Sequence, residues 1–224
     1  MKKVLVVAVH LDDETLGCGG TILKHLDQGD EVYWLLVSQI TTESPCNMPI
    51  ENVNRTESRV KTIAESYHFN GYYQLRLAPA KLHLYETDVL ISKFEQALNE
   101  IKPNVIYMPF RGDVHSDHRI VFDSLYGCTK SFRRSYIEQV YMMETLSETE
   151  FAPAIPGTSF CPNIYVDITP YLEQKLEIMS LHESEVMSEP YPRSLSSLRA
   201  LARLRGSRCG VMYAESFMLL YAKY

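Results

Sequence analysis

At 224 residues, with 46% hydrophobic and 22% charged side chains, the chain has the size of one α/β domain that can bury its own core. A formal net charge of -6 excludes the basic stripe that a nucleic-acid footprint needs, so the expected partner is a small molecule. The five cysteines, Cys18, Cys46, Cys128, Cys161 and Cys209, are odd in number and never spaced Cys-x-x-Cys. That pattern fits reduced thiols in a cytoplasmic protein, not a disulfide framework or a thiolate zinc knuckle.

The first element is the β-branched run Val4 to Val9, which reads as a strand buried on both faces of a parallel sheet. It is too short for a signal-peptide core, and no other run approaches the about 20 apolar residues of a membrane span. Gly17-Cys18-Gly19-Gly20 opens a helix with Ile22, Leu23 and Leu26 on one face and Gly29 at its end. Val32 to Val37 is the next strand, completing a βαβ unit. After a loop from Gln39 to Asn54 come a helix over 55–67 and a strand from Tyr72 to Leu77. Leu90, Phe94, Leu98 and Ile101 mark a helix that stops before Pro103. Val105 to Phe110 is a further strand, followed by a loop and a helix from Asp117 to about Lys130. Strands are expected at Ile137 to Glu144 and Asn163 to Ile168. Thr169-Pro170 reads as a capped helix start, and a last helix covers Leu195 to Arg205. No repeat or linker divides the chain. The expectation is a single Rossmann-like domain over 1–224, a mostly parallel sheet with helices on both faces.

In such a sheet, ligands bind beyond the carboxyl ends of the strands, where the strand order reverses. His10 directly follows one buried strand, and His115 and His118 follow another. If the two strands are parallel neighbours, both loops meet on one rim. A hydrolytic zinc site takes a His/His/carboxylate set and keeps a position for water. His10, Asp13 and His118 can supply that set, Asp12 can act as general base, and His115, oriented by Asp117, can donate to an oxyanion and protonate a leaving amine. Glu14 is assigned a structural place at the helix start.

His10-Leu11-Asp12-Asp13-Glu14 followed by Gly17-Cys18-Gly19-Gly20, with a distant His115-Ser116-Asp117-His118, resembles the LmbE-like/PIG-L family of zinc-dependent N-deacetylases. The family's first motif is Ala-His-Pro-Asp-Asp-Glu, so Val9 and Leu11 depart from it at positions without chemistry. Arg55-Thr56-Glu57, Lys175, His182-Glu183-Ser184, Arg205-Gly206 and Tyr213-Ala214-Glu215-Ser216-Phe217 extend the likeness nearly end to end. The resemblance implies a catalytic zinc on His10, Asp13 and His118, with iron(II) suiting the same donors. It also implies Asp12 as base, Arg55 and His182 as substrate contacts, and removal of acetyl from an N-acetylglucosamine-type conjugate. Members acting on N-acetylglucosaminyl-malate in bacillithiol synthesis are similar in length and ending. A homo-oligomer is left open.

Two other readings compete. One is a nucleotide-binding Rossmann-like module without hydrolysis, although the glycine run lacks the Gly-x-Gly-x-x-Gly spacing. The other is a non-catalytic scaffold member of the family. Arg193, Arg199, Arg203, Arg205 and Arg208 read either as a solvated helix face or as an anion contact.

Overall fold

A computed structural model describes all 224 residues. Every residue from Val4 to Val9 is buried, as a doubly covered strand requires. Strand alternation sends Leu5, Val7 and Val9 into one layer and Val4, Val6 and Ala8 into the other. This strand, β1 (Lys3–Ala8), is an interior strand of a seven-stranded sheet. The others are β2 (Glu31–Ser38), β3 (Gly71–Leu77), β4 (Val105–Met108), β5 (Gln139–Met143), β6 (Ile164–Asp167) and β7 (Ala214–Ala222), in the order β3-β2-β1-β4-β5-β7-β6. The strands from β1 to β5 run parallel, whereas β7 lies antiparallel between β5 and β6.

Helices α1 (Asp13–Asp27) and α2 (Ile50–Tyr67) cover one face through Ile22, Leu23, Val60, Ile63 and Tyr67. On the other face, α3 (Thr87–Ile101) and α4 (Ser116–Tyr126) contribute Leu90, Phe94, Val121 and Phe122. A smaller core joins α5 (Leu172–Ser180) and α6 (Leu195–Cys209) through Leu172, Leu176, Leu198 and Ala202.

The sequence-based elements recur, with α2 beginning at Ile50 inside the expected loop and with three further differences. The antiparallel strand β7 went unread, because its alternating and continuous apolar segments match no single periodicity. Helix α1 starts at Asp13, before the glycine run, and its dipole favours the acids Asp13 and Glu14 in the first turn. The Thr169 hydroxyl does not cap α5; it donates to Asp167 Oδ1 at 2.6 Å, and the helix starts at Leu172. The glycine run serves packing: a Cβ on Gly20 would sit 2.7 Å from Ile168, and one on Gly19 2.6 Å from the Tyr67 hydroxyl. No helix is long and apolar enough to cross a membrane.

Candidate metal and catalytic centre

The strand order reverses between β1 and β4, which pair in parallel with Val4 opposite Val105 and Val6 opposite Tyr107. Both strands therefore deliver their following loops to one rim. From β1 come His10, Asp12 and Asp13; from β4 come Asp113, His115, Asp117 and His118.

His118 is fully buried, and its Nδ1 lies 2.8 Å from Asp113 Oδ2, whose other oxygen accepts the Thr149 hydroxyl at 2.7 Å. His10 Nε2 lies 3.3 Å from Asp117 Oδ2. A carboxylate that takes one ring N–H fixes the tautomer and turns the other nitrogen's lone pair outward. Those outward atoms, His10 Nδ1 and His118 Nε2, face each other at 3.4 Å. Asp13 Oδ2 stands 3.3 Å from His118 Nε2 and 4.0 Å from His10 Nδ1, pinned by the backbone N–H groups of Val9 and His10 at 2.8 Å each. Tetrahedral bonds of about 2.0–2.1 Å put neighbouring donors about 3.3–3.4 Å apart, so this set has the spacing and chemistry for a divalent ion. His10, His115 and Asp117 also lie close enough to form a group. The Asp117 carboxylate is already spent there on His10 and on the amides of Ala80 and Leu82.

Charge separates the two neighbouring aspartates. Burial, with Asp13 and Glu14 nearby, pushes the Asp12 carboxyl up to about 7. Burial would also raise Asp13, but His118 and His10 outweigh it and hold Asp13 far below the usual carboxylate range. For His118, burial is outweighed by Asp13 and Asp113, which raise its affinity for positive charge. His115 moves the other way, lowered by burial and by His10.

Asp117 does not orient His115 with its carboxylate, contrary to the expectation from sequence. Its backbone N–H donates to His115 Nδ1 at 3.1 Å, while its side chain holds His10. With Nδ1 accepting, the His115 proton sits on Nε2, and the lowered pKa keeps the ring neutral at pH 7. The structure also corrects His182 as a substrate contact. It is fully buried outside the cavity lining, with Nε2 3.2 Å from Glu14 Oε1, so it supports the floor beneath Asp12.

The site opens into a cavity of about 720 Å³ whose wall includes Gln39, Arg55, Arg59, Glu148 and Arg193. Arg55 is free of ion pairs, whereas Arg193 Nη1 spans Asp12 Oδ2 at 3.4 Å and Glu185 Oε2 at 3.1 Å. Three others of the arginine series are engaged elsewhere: Arg199 pairs with Glu173 and Arg203 bonds Met212 on the surface, while Arg205 pairs with Glu144 in a part-buried setting. Sequence reasoning missed Asp113, although an acid five residues before a ligating histidine is a signal of the carboxylate such a ring needs. It also missed Gln39, whose buried amide has no hydrogen-bond partner and whose position after β2 carries no motif.

Residues 5–126 match the family model described as PIG-L, GlcNAc-PI de-N-acetylase, which is more than half of the chain. The chain belongs to the PIG-L family. Both loops of the site fall inside the matched segment. Among PIG-L relatives, a diacetylchitobiose deacetylase of Thermococcus kodakarensis is 28% identical over 229 residues, covering 96% of this chain and 82% of that one. A probable N-acetyl-alpha-D-glucosaminyl L-malate deacetylase 2 of Bacillus cereus is 24% identical over 191 residues, covering 82% and 84%. The fold is shared with the crystal structure of a conserved protein from Thermus thermophilus, at a TM-score of 0.76 and 22% identity, covering 100% of this chain and 97% of that one.

Proposed function

We propose that this PIG-L protein is a metal-dependent N-deacetylase that hydrolyses the acetamide of an N-acetylglucosamine-type sugar or conjugate, giving acetate and a free amine. The observation that carries the reading is the convergence of His10 Nδ1, Asp13 Oδ2 and His118 Nε2, beside the raised Asp12 carboxyl, at the floor of one cavity. The names of the two relatives, both deacetylases of N-acetylated sugars, support the same substrate class.

His10, Asp13 and His118 would hold zinc or iron(II), which when bound polarises an amide carbonyl and acidifies water. Asp12 does not share that set and is held at the cavity wall by Arg193. Its carboxylate can take the proton of the attacking water and return it to the leaving nitrogen. The neutral Nε2–H of His115 donates to the oxygen on which negative charge develops. Arg55 and Arg59 on α2 offer hydrogen-bond donors to the sugar or its substituent. The nucleotide-binding alternative finds no support, because the glycine run is packed under Ile168, Tyr67 and Met143 and leaves no room for a pyrophosphate.

The test is acetate release from N-acetylglucosamine conjugates of malate, inositol, a nucleoside diphosphate and chitobiose by zinc-loaded chain. Acetate and free amine are expected in equal amounts, lost with a chelator and restored by metal. No release from any conjugate by protein that carries stoichiometric metal would overturn the reading.

A further inference from the structure

Helix α1 is broken. Cys18 has φ -150° and ψ 23°, outside the helical region, so the segment from Asp13 to Gly17 is little more than one turn set at an angle to the longer helix behind it. A break leaves carbonyls on one side and N–H groups on the other without helical partners. Two buried charges from distant elements take them up. Lys175 Nζ, on α5, donates to the Leu16 carbonyl at 3.0 Å. Glu215, at the start of β7, accepts the N–H groups of Gly20 at 2.9 Å and Thr21 at 2.7 Å, one on each oxygen. The two side chains pair with each other at 2.7 Å, and each is about 95% buried.

A buried ion pair is a weak source of stability, since desolvation cancels most of its attraction. One turn of helix is also too short to persist alone. This turn is the one that carries the chemistry: Leu16 N–H donates to the Asp12 carbonyl at 2.8 Å, and Asp13 opens the helix. Gly19 leaves the room that the arrangement needs, because a Cβ there would lie 3.1 Å from Lys175 Cγ.

We propose that Lys175 and Glu215 are positioning residues that lock the break in α1 and so set where Asp12 and Asp13 stand relative to His10 and His118. The inference rests on the metal-dependent reading of the site. It assigns the C-terminal third of the chain, which already packs on this turn through Leu16 and His182, a part in the chemistry.

Zinc affinity, measured on the full chain by competition with a chelating dye, separates this role from a purely structural one. Glu215→Gln and Lys175→Met conserve shape, and in both zinc is expected to bind about tenfold or more weakly. At temperatures well below each melting midpoint, kcat falls while KM stays within about threefold, as for a loss confined to the transition state. Glu215→Asp, which restores the carboxylate, recovers part of both. Amide exchange in the unaltered chain gives a readout independent of any variant's folding: Gly20 and Thr21 should be protected like the helix interior. Zinc affinity and kcat unchanged in a folded Glu215→Gln, or Gly20 and Thr21 amides exchanging as fast as frayed helix ends, would overturn the lock. Failure of the unaltered chain itself to bind zinc would instead sink the metal-dependent reading.

Discussion

His25, half-buried, and His118, fully buried, both have Nδ1 held by a carboxylate, Asp30 at 2.9 Å and Asp113 at 2.8 Å, yet they sit at opposite ends of the sheet. At the amino end, the second nitrogen of His25 is spent on the Tyr107 hydroxyl at 3.1 Å, and Asp30 also accepts the Lys2 N–H at 2.7 Å. Nothing is left over. At the carboxyl end, His118 Nε2 faces His10 Nδ1 and Asp13 instead of a donor. Burial lowers His25, while Asp13 and Asp113 lift His118 against its own, deeper burial. The pair is therefore neither catalytic nor structural by composition. What makes a site is a second nitrogen left facing further ligands on a rim where two loops converge.

The largest expected effect breaks the rim and spares the other end. His118→Ala or Asp13→Ala should abolish stoichiometric zinc and reduce turnover to background, whereas His25→Ala should keep both, as read by elemental analysis and acetate release. Asp12→Asn should keep zinc and lose at least about 100-fold in kcat, the scale of a general base. Metal loss in Asp12→Asn would collapse the division of labour between the two aspartates. Next in size are the supporting carboxylates. Asp113→Asn and Asp117→Asn should each weaken zinc about 10–100-fold by freeing a ring they orient. Asp30→Asn, removing the same contact from His25, should leave zinc affinity unchanged.

Much of this rim was legible in the residues. Val4 to Val9 and Val105 to Phe110 are continuous apolar runs, and a histidine or a short histidine-bearing loop after each suffices to place two imidazoles together once the strands are parallel neighbours. The support beneath was not legible. Asp117 and His115 are close in sequence but differ in role, because helix geometry turns the Asp117 carboxylate towards His10 and leaves only its amide for His115. The burial of His182 depends on how α5 and its following loop pack on α1, and no local spacing encodes that. Lys175 and Glu215 were readable only as parts of a pattern; their job emerges once α1 is seen to break.

A smaller effect is expected in pH dependence. A base must be deprotonated to act, so turnover should rise with pH as Asp12, held at about 7, loses its proton. A divalent ion at Asp13 would lower that value, placing the limb at or below neutrality. His115, lowered by burial and by His10, is neutral at pH 7 and above and adds no falling limb there. The rising limb should be absent from the residual rate of Asp12→Asn and unmoved in His25→Gln. A rate independent of pH between about 5 and 7 would remove Asp12 as the base.

The smallest effect belongs to the amino end and concerns stability alone. The folded state holds His25 below its ordinary pKa, so on acidification the unfolded chain takes up that proton first. Stability contributed by neutral His25 is thus complete above the ordinary histidine range and declines as pH falls through it. Asp30 acts in the same direction further down: burial is outweighed by the Lys2 N–H and His25, its carboxyl is lowered, and its contribution disappears as pH falls through the carboxylate range. His25→Gln should therefore cost about 1 kcal/mol near neutrality, the worth of a typical hydrogen bond. That corresponds to roughly 2–4 °C in melting midpoint for a chain of this size. Towards pH 5 the gap between variant and unaltered chain should narrow, because the variant has no imidazole to protonate. A gap that widened on acidification would mean that His25 is charged in the fold, and the contrast between the two ends of the sheet would lose its physical basis.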